Sequence, residues 1–260
     1  MVSTVLITGA TTGIGYELGK LFAADGCNLI LVARNSGRLQ ELAREWSDRY
    51  RIVVHAIPAD LSTDEAPTRL YDEVRHTGLS VDILINNAGF GTFAPFAEAD
   101  LDEQLRMMQL NVVSLVHLTR LFLPEMIARK RGRILNVAST ASFQPGPFMA
   151  VYYASKAFVR SFSEALWEEL RGSGVTATVL CPGPTPTNFQ ARAGAENIFL
   201  SKGLLPMTDA AFVARAAYRA TNEGRRLVIP GLINRIGAYG VRFAPTVLVL
   251  NIIRRLHKFA

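Results

Sequence analysis

Two stretches of the chain place a tyrosine four residues before a lysine: Tyr152 and Lys156 in "AVYYASKAF", and Tyr16 and Lys20 in "YELGK". Positions four apart on a helix share a face, so each lysine can reach its tyrosine. A phenol with a pKa of about 10 is a poor acid or base at neutral pH. A neighbouring ammonium stabilises the phenolate and lowers that pKa. Such a pair could give a proton to the oxygen that becomes negative when a hydride adds to a carbonyl. Tyr153 stands three residues before Lys156 and also shares its face, so the residues alone leave Tyr152 and Tyr153 both open.

The elements that must position these groups are legible as alternation. Apolar, β-rich runs at 4–9, 28–33, 52–57, 82–89, 133–139, 176–183 and 226–231 read as strands. Near-continuous Val, Ile and Leu is the pattern of parallel strands covered on both faces. Helix-period segments lie between them, among them 37–50 and 156–172. The alternation predicts an α/β fold: a Rossmann-like, doubly wound parallel sheet of about seven strands, three layers deep, in a single domain over 1–260. A ligand belongs beyond the carboxyl ends of the strands, where the strand order reverses.

"TGATTGIG" (8–15) follows the first strand and opens a helix. Gly9 permits the turn, and Gly13 and Gly15 let a helix N-terminus approach a pyrophosphate. With "NNAG" (86–89), Asn111, Ser139, "YYASK" and "PGPTPT" (182–187), this loop resembles the short-chain dehydrogenase/reductase family over about residues 1–190. The resemblance implies an oxidoreductase with a bound nicotinamide dinucleotide. It places Asp60 and Leu61 near the adenine, Asn87, Ala88 and Gly89 along the ribose, and the Ile14 N–H on the pyrophosphate. Pro182, Gly183 and Thr187 would close the nicotinamide side. The second strand ends at Ala33 with Arg34 following, where NAD-binding folds carry an acid. A guanidinium there can bind a 2′-phosphate through paired hydrogen bonds. The expected cofactor is therefore NADP(H), held by Arg34 with Thr12 or Asn35 assisting.

The family pattern selects Tyr152 as the acid/base, with Lys156 lowering its pKa and holding the ribose hydroxyls. Ser139 is expected to donate to the substrate oxygen, and Asn111 to anchor a water-linked proton relay through Lys156. A serine stands thirteen residues before each candidate tyrosine, Ser139 before Tyr152 and Ser3 before Tyr16. Strand direction separates the two sets. Ser139 ends its strand, whereas Ser3 begins one, some 15–20 Å from its helix at about 3.3 Å per strand residue.

Residues 188–206 look like the family's substrate loop, and 143–151 should form the other wall. Phe143, Phe148, Met149, Phe189 and Phe199 point to an apolar ketone, aldehyde or secondary alcohol, lipid-like in character. The alternative is a non-catalytic NADP-binding regulator, which could dispense with Asn111, Ser139, Tyr152 or Lys156.

Two cysteines and four histidines without ligand spacing predict neither a disulfide framework nor a metal site. "MVSTVLITGA" runs straight into strand-like sequence, so a cytoplasmic protein is expected, with a location peripheral to a membrane as the second option. Net charge is +6, yet residues 210–260 hold nine Lys/Arg against one acid, a local +8 that leaves −2 for the remainder. No nucleic-acid recognition motif accompanies this charge. The segment 232–260 is basic and apolar, suited to packing on the fold, on another subunit or on a membrane surface. The resemblance also implies a homodimer or homotetramer through the helices around 109–129 and 156–172.

Overall fold

The computed structural model describes residues 2–186 and 208–258. Its strands are β1 (Thr4–Thr8), β2 (Asn28–Ala33), β3 (Val54–Pro58), β4 (Ile83–Asn86), β5 (Gly132–Val137), β6 (Val175–Leu180) and β7 (Leu227–Val228). All pairings are parallel, in the order β3-β2-β1-β4-β5-β6-β7. This is the Rossmann-like sheet expected. The strand order turns back between β1 and β4, so the crevice beyond those two ends is where a ligand can enter.

β1, β2, β4, β5 and β6 bury both faces, as their apolar runs require, while the edge strands β3 and β7 are only partly covered. Val5, Ile7, Leu29 and Leu31 pack beneath α1 (Gly13–Ala24), α2 (Ser36–Tyr50) and α7 (Ala210–Asn222). Leu6, Ile30 and Leu84 point the other way, toward α3 (Ala66–His76), α5 (Ser114–Ala128) and α6 (Ala150–Glu169). A polar ladder crosses this second face: Asn86 Nδ2 donates to Thr119 Oγ1 (3.1 Å) and Asn136 Oδ1 (2.9 Å), and Asn136 Nδ2 to Ser163 Oγ (2.9 Å).

α4 (Leu101–Met108) runs into α5 through a π-helical turn, Gln109–Val113. By length and composition the continuous run Leu101–Ala128 is apolar enough to cross a bilayer. Its buried residues, Met107, Leu115, Leu118, Phe122 and Met126, face the core. The chain ends in α8 (Leu232–Gly240), a 3₁₀ turn (Val241–Phe243) and α9 (Thr246–Lys258).

Candidate active site

The glycine loop and the "NNAG" loop meet at the crevice and lock together. Asn87 Nδ2 donates to Thr8 O (2.9 Å) and Gly9 O (3.1 Å), while Thr8 Oγ1 accepts from Asn87 N (3.0 Å) and Ala88 N (3.0 Å). Gly9 has φ +67° and Gly13 φ +57°, a region costly for any side chain. At Gly15 the need is space: a Cβ would overlap Gly9 O and lie 2.5 Å from Asn87 Nδ2. Asn87 therefore braces the loop with its side chain, and its backbone is what faces the cavity. Thr12 caps α1 without a side-chain hydrogen bond, so the N–H groups of that helix end point outward.

These loops line one cavity of about 1070 Å³. Gly9, Thr12, Gly13, Ile14, Arg34, Asn35, Asp60, Leu61, Asn87, Ala88, Gly89, Pro182 and Gly183 all border it, as expected. Thr187, Phe189 and Phe199 lie outside the described residues, as does most of the expected 188–206 loop. Arg34 is exposed and makes no ion pair among the described residues, whereas Arg38 pairs with Glu41 at 3.0 Å. Asn35 is already occupied: its Oδ1 accepts from Arg38 N (3.0 Å) and caps α2. Asp60 Oδ1 accepts from Ser62 N (3.0 Å) and Ser62 Oγ (2.7 Å).

A dinucleotide fits this frame. The glycine cradle is filled by any added Cβ, the helix end offers N–H donors to an anion, and the Arg34 guanidinium flanks the far side. The cavity continues without a break to the tyrosine–lysine pair.

Tyr152 and Lys156 stand one turn apart at the start of α6, 8% and 5% exposed. Ser139 follows β5 by two residues and caps the 3₁₀ turn Thr140–Phe143, accepting from Ala141 N at 3.1 Å. Its side chain hydrogen-bonds the Tyr152 side chain. Lys156 Nζ donates to Val137 O (2.9 Å) and lies 5.9 Å from the Tyr152 ring centre. Ser139, Tyr152 and Lys156 thus converge at the carboxyl end of β5. Ser3 lies at the opposite edge of the sheet, accepting from Arg131 (2.8 Å), and Lys20 pairs with Glu17 at 3.4 Å.

The charge tuning differs from expectation. Burial pushes Tyr152 up to about 12, and the group that pulls it back is Ser139, not Lys156. The ammonium donates to Val137 O, and its own pKa falls to about 8 through burial. Tyr152 therefore stays protonated and Lys156 charged at pH 7.

Asn111 is 1% exposed, not on a helix surface. It sits in the π turn, where the widened helix shifts its register relative to α4. Oδ1 accepts from Phe90 N (3.1 Å), and Nδ2 donates to Phe90 O (2.9 Å) and Ser155 Oγ (3.1 Å). A Cβ on Gly89 would fall 2.9 Å from Asn111 Oδ1 and 3.3 Å from Lys156 Nζ, which puts all three in one cluster. Ser155, which passes a further hydrogen bond to Tyr152 O (2.7 Å), ties Asn111 to α6.

Two expected substrate residues are elsewhere. Phe143 packs under the Arg160 guanidinium (4.2 Å) and against Tyr239, behind the cavity. Phe148, at φ +67°, packs on Phe93 (5.7 Å). An aromatic ring in a loop can turn either way, and here both found better packing away from the opening. Met149 does line the cavity, and the rest of the wall comes from Tyr153, α8 and α9: Ile233, Asn234, Ala238, Ile252, Ile253, Leu256 and His257. Asn234 also presses on Gly183, where a Cβ would overlap its amide. No periodicity in the sequence marks this wall, because its residues come from the far end of the chain.

Comparison with known proteins agrees with this architecture. A family model described as short chain dehydrogenase matches residues 3–197. The chain is 32% identical over 254 residues to dehydrogenase/reductase SDR family member 7B of Xenopus laevis, covering 94% of this chain and 79% of that one. It is 33% identical over 183 residues to the very-long-chain 3-oxoacyl-CoA reductase of Rattus norvegicus, covering 68% of this chain and 57% of that protein's length. Among solved structures, a short-chain dehydrogenase from Sphingobium yanoikuyae in complex with NADPH superposes with a TM-score of 0.84 at 31% identity, over 95% of both chains.

Proposed function

The chain belongs to the short-chain dehydrogenase family, and on that premise we propose that it is an NADPH-dependent reductase of an apolar ketone or aldehyde. The observation that carries the reading is one continuous cavity holding Arg34, the glycine cradle, Ser139, Tyr152 and Lys156. Arg34, with no carboxylate at position 33, supports NADPH over NADH. Thr12 adds a hydroxyl at the helix end. Asn111, Ser139, Tyr152 and Lys156 together support catalysis over a regulatory, cofactor-sensing role.

The glycine cradle and Arg34 would hold the dinucleotide, whose nicotinamide would supply the hydride for the carbonyl carbon. Ser139 donates a hydrogen bond to the carbonyl oxygen and holds it beside the phenol. Tyr152, kept neutral by burial, gives that oxygen its proton, so hydride and proton together make the alcohol. Lys156, charged below a pKa of about 8, would donate to the ribose hydroxyls of a bound cofactor and, 5.9 Å from the Tyr152 ring centre, offset the phenolate left there. Asn111, held by Phe90 and Ser155, would anchor the water-linked relay through Lys156 that returns a proton to Tyr152.

The wall built from Met149, Ile233, Ile252, Ile253 and Leu256 supports an extended apolar substrate, as does likeness to a reductase whose name specifies very-long-chain oxoacyl groups. The test is NADPH oxidation against a panel of ketones and aldehydes graded in size. Turnover rising with apolar length is expected; cofactor binding without turnover of any carbonyl points to the regulatory alternative.

Two further proposals concern partners. Exposed Leu105, Met108, Val113 and Phe158 on α4, the π turn and α6 support a homo-oligomer, which light scattering will weigh. Phe243 (90% exposed), Val247 and Ile236 beside Arg235, Arg242 and Arg254 support contact between a cytoplasmic enzyme and an anionic lipid surface. Co-sedimentation with phosphatidylserine-containing vesicles should drop in Phe243→Ser; equal partition discards the contact.

A further inference from the structure

One buried titratable side chain in the cavity wall lies outside the proton path. His257, near the end of α9, is 4% exposed. Its Nδ1 lies 2.7 Å from Pro147 O, and a carbonyl oxygen only accepts, so Nδ1 carries the proton of the neutral ring. Nε2 is then an acceptor, and the Tyr153 hydroxyl donates toward it over a long 3.5 Å. Burial lowers the His257 pKa, with Pro147 O opposing, which favours that neutral form.

Packing holds the same ring. Its centre is 5.8 Å from Phe93 and 6.0 Å from Tyr153, edge-on to both. Tyr153 stands edge-on to Tyr152 at 6.1 Å, and Gly146 lacks the Cβ that would strike the Tyr153 ring. One imidazole thus joins α9, the 144–149 loop and the residue beside the candidate acid. Among the described residues, α9 presents Ile252, Ile253, Arg255 and Leu256 to the cavity beside His257.

We propose that His257 is a specificity-determining positioning residue, which fixes α9 as the apolar wall of the substrate chamber by donating to Pro147 O and accepting from Tyr153. It thereby selects bulky apolar carbonyl compounds over small ones. The inference rests on the carbonyl-reductase reading for its substrate and on geometry alone for the latch. His257 makes no contact with Ser139 or Lys156 among the hydrogen bonds described, so its loss should fall on KM rather than kcat.

The experiment compares full-length wild type, His257→Phe and His257→Asn. Phenylalanine keeps a ring and loses both polar contacts; asparagine restores a donor near the Nδ1 position. Two measurements are made: NADPH-dependent kinetics on a three-carbon aldehyde and on a ten-carbon ketone, and hydrogen exchange of 246–258 in the protein alone. Losing a buried hydrogen-bonded anchor is expected to raise KM for the long ketone about tenfold in His257→Phe. KM for the short aldehyde should stay within about twofold and kcat within about threefold, exchange of 246–258 should quicken, and His257→Asn should recover most of each change. Should His257→Phe not fold, His257→Met carries the same expectations. An unchanged ratio of the two KM values, or an equal fall of kcat on both substrates, overturns the proposal. If wild type reduces no carbonyl at all, the enzymatic reading fails. The exchange measurement still decides the latch, and unaltered exchange of 246–258 in the variant overturns it.

Discussion

Replacing Lys156 with methionine removes a buried ammonium and keeps the length of the side chain. In the folded protein this amine has its pKa lowered from 10.5 to about 8 by burial. Its hydrogen-bond partner in the fold is Val137 O. The unfolded chain therefore binds the proton more tightly, and below pH 8 folding pays the full difference. At roughly 1.4 kcal/mol per pKa unit, the penalty is on the order of 3 kcal/mol at pH 7. For a base with a lowered folded pKa, stability rises with pH between the two values. The penalty should thus shrink to about 1 kcal/mol by pH 10. Methionine has no such dependence, though it loses the bond to Val137 O, a constant cost of about 1–2 kcal/mol. Urea unfolding of wild type and Lys156→Met at pH 7, 8, 9 and 10 reads this directly. Wild type should gain about 2 kcal/mol on the variant over that range. A difference that stays flat refutes the view that burial holds the Lys156 ammonium at a cost to the fold.

Other outcomes follow from the same geometry. Arg34→Ala should raise KM for NADPH by about ten- to a hundredfold, the loss of one or two charge-assisted hydrogen bonds, and leave NADH nearly unchanged; equal effects on both cofactors in initial-rate assays would remove Arg34 from the 2′-phosphate. Gly15→Ala should prevent NADPH binding by calorimetry and lower stability by about 1–3 kcal/mol, because its Cβ meets Gly9 O and Asn87. Asn111→Ala removes the buried hydrogen bonds to Phe90 N and Phe90 O, so stability in thermal unfolding should drop by the equivalent of about 1–3 kcal/mol.

What the sequence disclosed was what backbone geometry or local spacing imposes. Gly9 and Gly13 adopt positive φ, Tyr152 and Lys156 are one helical turn apart, and Val, Ile and Leu fill strands covered on both sides. Each of these leaves a mark within a few residues. Strand polarity likewise separated Ser139 from Ser3 correctly. What stayed hidden depends on side-chain orientation or on distant pairing. Asn87 turns back to brace the glycine loop, Phe143 and Phe148 turn away from the opening, and Lys156 donates to Val137 O. Tyr153 and His257 are 104 residues apart, and nothing local in either segment signals that they meet.

The central claim is that Tyr152 hands the proton to a carbonyl while its twin, Tyr153, does not. NADPH oxidation by Tyr152→Phe and Tyr153→Phe on the same ketone tests it most directly, with NADPH binding measured in parallel. Tyr152→Phe should bind NADPH as wild type does and lose at least about a hundredfold in kcat, the scale of a missing general acid. Tyr153→Phe should keep kcat within about tenfold of wild type. Turnover by Tyr152→Phe near the wild-type rate would place the acid on another residue and contradict the account.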